Sequence, residues 1–346
     1  MKSATAPQEV SSTPGSQYYE IGRGNCGSIW ALPFEAYSTS YMAYKLKDGA
    51  SDRSLANDFA MHGKVLQALS AKTHRLSIPA RYQLIESDDE QFWQTEKAKF
   101  PRLMALDRTC QCLIMERIPP IPRHVRQLLV EKYCPENIKA SVLRSPKGED
   151  CLWRPYFGRL VRPESRFFTL RNHAVPLAQL LDLGVDAEHV LYTMAVALAY
   201  MHWGARIDAN DVEFVLAPPR PTNVENAGPP MTFRCEALGE LNLWLLDFDC
   251  CKNMPMTPAG VAQAVEAFFR NDPYYPRPKF GEAKEQQNAW WDNFRKVYLE
   301  VSVMLLQQEK ELLDLPCLFV KQVEERVIDK EKIVTLATKG KESQEG

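Results

Sequence analysis

Two short stretches of this sequence place five carboxylates at the ends of apolar segments. Residues 203–216 and 241–249 carry the acidic side chains Asp208, Asp211, Glu213, Asp247 and Asp249. Carboxylates gathered in this way repel one another unless cations or hydrogen-bond donors lie between them. Carboxylate oxygens are also the ligands that hard cations such as Mg²⁺ prefer. The pattern therefore predicts a metal site built from two separate loops.

Length and composition predict a globular chain with no general affinity for nucleic acid or membrane. A chain of 346 residues, 45% of them apolar, is long enough for roughly two domains or two lobes around one cleft. The net charge is −2 with both signs mixed, which argues against a nucleic-acid or membrane partner. No apolar run reaches the roughly eighteen residues of a membrane span, and the first residues lack a secretory signal. We expect an intracellular, cytoplasmic protein; its oligomeric state stays open.

The cysteines do not form a metal-binding or disulfide pattern. They number nine, and they are Cys26, Cys110, Cys112, Cys134, Cys151, Cys235, Cys250, Cys251 and Cys317. None pairs as Cys-x-x-Cys, and no histidine spacing completes a zinc finger. Cys110 and Cys112 alternate along a predicted strand, which two small buried side chains explain better than a metal. We expect reduced thiols, most of them in the core.

A glycine pattern near the N-terminus predicts a hairpin rather than a helix-based nucleotide site. Gly22, Gly24 and Gly27 form G-x-G-x-x-G, but a strand over residues 28–32 follows instead of the helix of a dinucleotide site or the Gly-Lys of a P-loop. The bare backbone of such a hairpin can lie over phosphates. The next strand, over residues 41–46, carries Lys45, whose ammonium group would reach the same phosphates. A surface lysine at a strand end is the alternative.

The segment after Lys45 predicts a helix over residues 54–70, with Asp52 or Ser54 as its N-cap. Asp58 on this helix is a candidate partner for Lys45, and Asn57 is the candidate if the register differs by one residue. His62 on the same helix is expected to be packed or solvated rather than to bind a ligand.

Two further strands are predicted over residues 78–85 and 109–118, and the second ends at Pro119-Pro120. A double proline stops a strand and provides a hinge between two lobes. The backbone just after Met115 would then be free to hydrogen-bond an adenine edge.

Residues 151–171 combine arginine with aromatic residues. The arginines are Arg154, Arg159, Arg162, Arg166 and Arg171, and Trp153, Tyr156, Phe157, Phe167 and Phe168 lie among them. This composition fits an anion or single-stranded nucleic-acid surface. It also fits a two-stranded ribbon with one solvated face, which we favour, and such a ribbon can still touch a substrate.

The rest of the chain predicts mainly helices. We expect helices over residues 176–183, over 186–202 with Asp186 as N-cap, from Thr257-Pro258, and over 283–308, with a hairpin over 231–246. Residues 1–16 predict a disordered tail, and the charged end beyond Val327 is expected to fray.

The order of these motifs resembles the protein-kinase-like fold. The glycine hairpin, Lys45, an acidic helix residue, Met115-Glu116 before a hinge, and Asp208 before Asp247-Phe248 follow one another as in that fold. Residues 151–159, 208–216 and 271–276 more closely resemble a fungal family of kinase-like proteins of unassigned function, often labelled zinc-finger proteins. The resemblance covers roughly residues 18–315. These cysteines do not support the zinc-finger label.

The resemblance implies an α+β, two-lobed protein-kinase-like fold. Its β-rich N-lobe would span residues 17–118 and its mainly helical C-lobe residues 119–327, with the Arg-rich insertion inside it and a charged tail over 328–346. ATP and Mg²⁺ are the implied cofactors. By this resemblance Gly22, Gly24 and Gly27 would cover the phosphates, Lys45 would contact them, and Asp58 would hold Lys45. Adenine would contact Met115, Glu116 and Ile118. Asp208 would orient or deprotonate the acceptor hydroxyl, and Glu213 and Asp247 would hold the metal.

Four departures from the kinase pattern affect the implied function. Arg206-Ile207-Asp208 lacks the arginine that docks a phosphorylated activation loop, and Asn210 replaces the cation that often accompanies the catalytic aspartate. Glu213 replaces the metal-binding asparagine and adds negative charge, so the site is expected to need two metal ions or more Mg²⁺ than usual. The helix at Thr257 starts eight residues after Asp249, which leaves no room for a peptide-docking segment.

Two functions fit this sequence. The first is an ATP- and Mg²⁺-dependent phosphotransferase acting on a hydroxyl of a small molecule, which we expect to serve fungal specialised metabolism, in line with the resemblance. The second is a pseudokinase that keeps the fold as a nucleotide-binding or scaffold module. The altered residues around Asp208 favour the second, whereas the glycines, Lys45, Asp208 and Asp247 favour the first.

Overall fold

The computed structural model describes residues 17–33, 41–69, 76–159, 168–220, 232–279 and 285–342 of the chain. Its strands are β1 (Tyr19–Arg23), β2 (Ser28–Ala31), β3 (Met42–Leu46), β4 (Leu76–Ser77), β5 (Arg81–Ile85), β6 (Cys112–Glu116), β7 (Trp153–Tyr156), β8 (His173–Pro176), β9 (Glu213–Ala217), β10 (Phe233–Cys235) and β11 (Gly239–Leu246). Its α-helices are α1 (Leu55–Leu69), α2 (Glu90–Glu96), α3 (Pro101–Leu106), α4 (Arg123–Tyr133), α5 (Lys139–Arg144), α6 (Leu177–Asp182), α7 (Ala187–Ala199), α8 (Pro258–Arg270), α9 (Glu285–Leu305) and α10 (Asp314–Glu342). The disordered tail predicted over residues 1–16 lies outside the described residues.

The first part of the chain forms an antiparallel sheet of five strands in the order β1-β2-β3-β6-β5. The glycine hairpin and the returning lysine strand are confirmed, since β1 pairs with β2 and β2 pairs with β3. Gly27 must be glycine because a Cβ there would lie 1.9 Å from the carbonyl oxygen of Leu46. The turn is tied to the end of β3, where Gly49 N–H donates to the Cys26 carbonyl at 3.1 Å.

Helix α1 follows β3 and lies close to its predicted bounds. Ser54 caps it, since its Oγ accepts a hydrogen bond from Asn57 N at 3.2 Å. The buried face of α1 consists of Leu55, Asp58, Met61, His62, Val65 and Leu69. A buried aspartate on an otherwise apolar face needs a partner, because an unpaired buried charge is costly.

The second sheet brings distant segments together in the order β10-β11-β9-β7-β8, with β4 pairing to β11 in parallel. The described part of residues 151–171 does not form the predicted two-stranded ribbon. Strands β7 and β8 run parallel, and β7 also pairs with β9, so Trp153 lies inside a sheet rather than in a two-stranded ribbon. Parallel strands require a crossover between them, which a short ribbon cannot provide. Arg162, Arg166 and Phe167 lie outside the described residues.

Helices surround the second sheet and enclose the larger hydrophobic core. Asp186 caps α7 as predicted, its side chain accepting from His189 N, and Thr257 caps α8 in the same way through Gly260 N. Helix α7 continues into a π-helical turn, Tyr200–Gly204, and the chain then enters the first acidic loop, which lies in residues 203–216. The second acidic loop lies at the end of residues 241–249. Fraying beyond Val327 was the expectation, but the backbone of α10 is helical through Glu342. The described part of the chain is thus a mixed α/β structure with a sheet-rich region and many helices.

The cysteine and membrane predictions have simple outcomes. All nine cysteines are free thiols, and seven of them are buried. No helix among the described residues is long and apolar enough to cross a membrane.

Candidate functional site

Lys45 is held between two carboxylates that come from distant parts of the chain. Its Nζ lies 2.6 Å from Asp58 Oδ2 on α1 and 2.8 Å from Asp247 Oδ1 after β11. Lys45 is only 5% exposed. Burial alone would lower the pKa of Lys45, but Asp247, Asp58 and Asp249 raise its pKa well above the usual value. The ammonium group is therefore a permanent positive charge that links the first sheet to the second acidic loop.

Asp58 and Asn57 divide the contacts of α1 between them. Asp58, rather than Asn57, is the partner of Lys45, and its Oδ1 also accepts a hydrogen bond from Phe248 N at 3.2 Å. Asn57 donates through Nδ2 to the carbonyls of Asp249 and Cys251, both at 2.9 Å. The first turn of α1 thus fixes the loop that follows β11.

His62 is packed, which agrees with one of the two alternatives for it. Its ring lies 5.0 Å from the ring of Phe248, and Nε2 is 2.8 Å from the Pro79 carbonyl oxygen. Burial lowers its pKa to about 4, so the neutral imidazole donates this hydrogen bond.

Asp208 is enclosed by hydrogen-bond donors. Its Oδ1 accepts from Lys252 N at 2.8 Å and from Asn210 N at 3.2 Å, and its Oδ2 accepts from Gln263 Nε2 at 2.8 Å. The residue is 3% exposed. Asp208 therefore fixes the first loop against the second, and only the Gln263 contact is made by a side chain that can rotate away.

Left-handed backbone conformations concentrate in the two acidic loops. Among the described residues, six non-glycine residues have positive φ, and four of them lie here: Arg206, Ala209, Asp211 and Asp247. Such conformations cost about 1–3 kcal/mol each and persist only where surrounding contacts enforce them. Asn271 supplies two of these contacts, accepting from Asp211 N at 2.6 Å and donating to the Ala209 carbonyl at 2.9 Å. Backbone strain of this kind clusters at functional sites in proteins.

Glu213 begins β9 and pairs with an arginine that the sequence interpretation had assigned to a solvated face. Both of its carboxylate oxygens lie 2.6 Å from Arg154 Nη2 on β7. Arg154 also lies 3.5 Å from Asp272, which is hydrogen-bonded by Tyr156. Burial, together with Asp247, Asp272 and Asp211, raises the pKa of Glu213 to about 7 against the opposing effect of Arg154. The register of β9 and β11 pairs Glu213 with Leu246, so Asp247 follows immediately across the sheet.

Arg53 is a second cation that sequence analysis missed. Its Nη1 lies 2.8 Å from Asp211 Oδ2 and 2.9 Å from Asp249 Oδ1, and it donates to Cys250 Sγ. The only local signal was its position just before the cap of α1, which does not reveal its partners. Three basic residues, Lys45, Arg53 and Arg154, therefore contact four of the five acidic residues of the two loops, and Asp208 is held by neutral donors instead.

The double proline that predicts a hinge follows β6. The backbone directly after Met115 is not free as expected, because Glu116 N donates to the Ala80 carbonyl and Arg117 N donates to the Tyr41 carbonyl, both at 2.7 Å. The Glu116 side chain is engaged, since Arg220 Nε lies 2.5 Å from its Oε1 and Ala80 N donates to its Oε2 at 2.8 Å. Ile118 packs on a small apolar cluster of Val215, Ala217 and Trp244. Within the residues that the structure describes, the main-chain N–H and C=O of Ile118 make no hydrogen bond. Met115, in β6, is partly buried.

The three glycines of the hairpin have different surroundings. A Cβ at Gly24 would meet no atom within 4 Å, whereas a Cβ at Gly22 would lie 3.3 Å from Ile29 Cδ1. Cys26, at the turn, is buried against Leu55 and Leu113. The hairpin turn thus lies against α1 and β6.

Comparison with known proteins gives one partial match. A family model described as "Zinc finger protein" matches residues 243–310, and no curated protein matches the chain. The matched segment contains Cys250 and Cys251 and no histidine, so it lacks the four ligands of a structural zinc site. The match agrees with the label of the family that the sequence resembles, and it supports no zinc chemistry.

Proposed function

We propose that this protein is an ATP- and Mg²⁺-dependent phosphotransferase with a two-lobed, protein-kinase-like fold that acts on a hydroxyl of a small molecule. The observation that carries the proposal is the buried Lys45, bridged to Asp58 on α1 at 2.6 Å and to Asp247 at 2.8 Å. A buried lysine held in this way presents a fixed positive charge to a polyphosphate chain.

The order of the first sheet supports the kinase-like part of the proposal. The sheet order is β1-β2-β3-β6-β5. Along the chain, the glycine hairpin is followed by the strand with Lys45, by the helix that carries its partner Asp58, and by the strand before the proposed hinge. In the proposed complex adenine lies near Met115, Glu116 and Ile118. Ile118 packs on an apolar cluster, and its backbone N–H and C=O make no hydrogen bond within the described part of the chain.

Glu213 and Asp247 are the residues that would hold Mg²⁺. They supply hard oxygen ligands from neighbouring positions on β9 and after β11, which fits the preference of this ion. The ion, when bound, would neutralise charge on the phosphates during transfer. Arg154 and Lys45 contact these carboxylates, so each would have to share its carboxylate with a bound metal ion.

The short connection after the second loop supports a small acceptor over a peptide. Met254 N donates to the Arg206 carbonyl at 2.8 Å, Ile207 bridges to Asn253, and α8 then starts at Pro258. No segment remains between Asp249 and Thr257 to dock a peptide. Asp208 would orient or deprotonate the acceptor hydroxyl, and as a general base it would contribute about 10²–10⁴-fold.

The test is calorimetry with ATP at increasing Mg²⁺, combined with turnover of Asp208→Asn on hydroxyl acceptors. We expect Mg²⁺-dependent ATP binding in both proteins and loss of turnover in the variant. Gln263→Ala is the matched control, because it removes a contact to Asp208 but keeps the carboxylate. Unchanged turnover in Asp208→Asn would exclude this residue, and no ATP binding at any Mg²⁺ would reject the enzyme.

A pseudokinase that binds nucleotide or serves as a scaffold is the second candidate. The buried Asp208 and the Arg154 contact on both oxygens of Glu213 favour it, because neither carboxylate is free for chemistry. ATP binding without transfer to any of a broad set of hydroxyl acceptors would support this candidate.

A further inference from the structure

Arg53 occupies the centre of a group of donor atoms that would otherwise suit a metal ion. The ligand atoms of Asp211, Asp249 and Cys250 lie within 4.8 Å of one another. One nitrogen, Arg53 Nη1, contacts all three, at 2.8 Å from Asp211, 2.9 Å from Asp249 and in direct contact with Cys250. One nitrogen of a positively charged guanidinium therefore lies where a bound cation would lie.

Residues other than Arg53 hold the backbone around the three donors. Asn57 holds the carbonyls of Asp249 and Cys251, and Asn210 Nδ2 donates to the Cys250 carbonyl at 3.2 Å. Asn271 holds the Asp211 N–H. The backbone that carries the three donors is thus held without help from the guanidinium, so the donors should stay close together when Arg53 is replaced.

We propose that Arg53 is a tethered cation in place of a second metal ion, so that the acidic site takes up one divalent ion, at Glu213 and Asp247, instead of two. The metal count rests on the proposed phosphotransfer function, whereas the exclusion of metal by Arg53 does not. A guanidinium stays charged at every physiological pH and is less strongly hydrated than an ammonium group, which suits a partly buried position. It also reduces the repulsion between Asp211 and Asp249 without drawing an ion from solution.

The chemistry of the three donors agrees with an arginine rather than with Mg²⁺. Burial, followed by Asp249, raises the pKa of the Cys250 thiol to about 12, so the sulfur stays protonated beside Arg53. Mg²⁺ prefers oxygen ligands in octahedral geometry, and a thiol does not provide this. Once the guanidinium is gone, a soft divalent ion such as Cd²⁺ can displace the thiol proton and bind two carboxylates and a thiolate.

The experiment is a Cd²⁺ titration followed by thiolate-to-metal ultraviolet absorption, without nucleotide. All proteins carry Cys317→Ser, because Cys317 is the exposed thiol. We expect Arg53→Ala to bind one equivalent of Cd²⁺ with the absorption band and Arg53→Ala with Cys250→Ser to lose the band. The protein with Arg53 and the matched variant Arg53→Lys, which keeps a positive charge, should show no band.

Two results would overturn the inference. One is a band that depends on Cys250 while Arg53 is present, because Arg53 would then not exclude metal. The other is a folded Arg53→Ala without a band, because the donors would then not form a cation site. If Arg53→Ala does not fold, Arg53→Gln takes its place, and the first result remains decisive.

A count of Cd²⁺ bound together with ATP tests the functional part, because Cd²⁺ accepts both carboxylate and thiolate ligands. We expect one ion in the protein with Arg53 and two in Arg53→Ala. Two ions in the presence of Arg53 would overturn the metal count. Failure to bind ATP would instead reject the proposed function and would leave unchanged the Cd²⁺ result obtained without nucleotide.

Discussion

At the scale of single residues, the buried charge of Lys45 is the strongest constraint on the site. Replacing it with methionine leaves Asp58, which is almost fully buried, without its cation. Breaking a buried ion pair from one side costs about 3–5 kcal/mol. We expect Lys45→Met to lower the free energy of unfolding in urea by that amount, and the double variant with Asp58→Asn to recover part of the loss.

Lys47 provides the control for this prediction. It directly follows the same strand and makes only a long, exposed contact to the Ser51 carbonyl, at 3.5 Å. Lys47→Met should change the free energy of unfolding by no more than about 0.5 kcal/mol. Equal decreases in the free energy of unfolding in the two variants would show that the contact of Lys45 with Asp58 is not the cause of the destabilisation.

Glu213 makes a prediction about pH. Its pKa is raised to about 7, above the ordinary value, so the folded protein holds an extra proton between about pH 4.5 and 7. The contribution of this residue to stability is therefore present at low pH and is lost as pH rises through that window. The Glu213→Gln variant has no such titration. Its free energy of unfolding, minus that of the unmodified protein, should therefore rise with pH through this window by an amount on the order of 1–3 kcal/mol.

Urea unfolding at several pH values between 4.5 and 8 measures this difference. Glu240→Gln is the control, since Glu240 is exposed and pairs only with the exposed Arg234. A difference between Glu213→Gln and the unmodified protein that does not change with pH would mean that Arg154 keeps Glu213 ionised throughout.

The sequence predicted some residues of the site and not others, for a physical reason. Lys45 and Asp58 were predicted because each lies on one element of strong local pattern, a strand and an amphipathic helix. Arg53 and Arg154 were missed because their partners are distant in the chain and depend on how β7, α1 and the two loops meet. A single sequence shows periodicity but not which charged side chains come together.

At the scale of elements, the turn after α8 supports the first acidic loop. Asn271 is buried and bonds the backbone of Asp211 and Ala209, two residues with left-handed conformations. We expect Asn271→Ala to cost about 1–3 kcal/mol, because it leaves buried polar groups unpaired. In this variant the backbone amides of residues 208–213 should exchange hydrogen faster with solvent.

Asn288 gives a matched control for Asn271. It also makes two hydrogen bonds to backbone, both to Lys279, at 3.0 and 2.8 Å. Asn288→Ala should leave exchange of residues 208–213 unchanged. If both variants raise exchange there equally, the effect is general loosening rather than support of the loop.

The elements that local pattern defines were predicted well, and those that depend on distant pairing were not. The caps at Asp186 and Thr257 are in the structure because their signals are local. The parallel pairing of β7 with β8, and of β4 with β11, has no local signal, since the side-chain alternation of a strand does not identify its neighbour. The ribbon prediction failed for this reason.

At the scale of the whole molecule, buried ion pairs connect the first sheet to the rest of the chain. Lys45 with Asp247 is one of them, and Arg220 with Glu116 is another. Arg220 follows β9 and also donates to the Ile78 carbonyl at 2.5 Å, so it joins the second sheet to the end of β6 and to the segment between β4 and β5. The cores that these contacts connect differ in size, and the first sheet has the smaller one.

Removing Arg220 should therefore separate the unfolding of the two cores. Arg220→Met leaves Glu116 buried and unpaired, which weakens the connection at the hinge more than it weakens either core. A small core retains less stability by itself, so we expect the first sheet to unfold at lower urea than the helical part. Hydrogen exchange resolved by segment would show β1–β3 losing protection first, whereas the unmodified protein loses all protection together. The double variant with Glu116→Gln should restore a single transition, because it removes the unpaired charge. One transition shifted equally in both regions of Arg220→Met would mean that Lys45 and Asp247 suffice to hold the molecule as one cooperative unit.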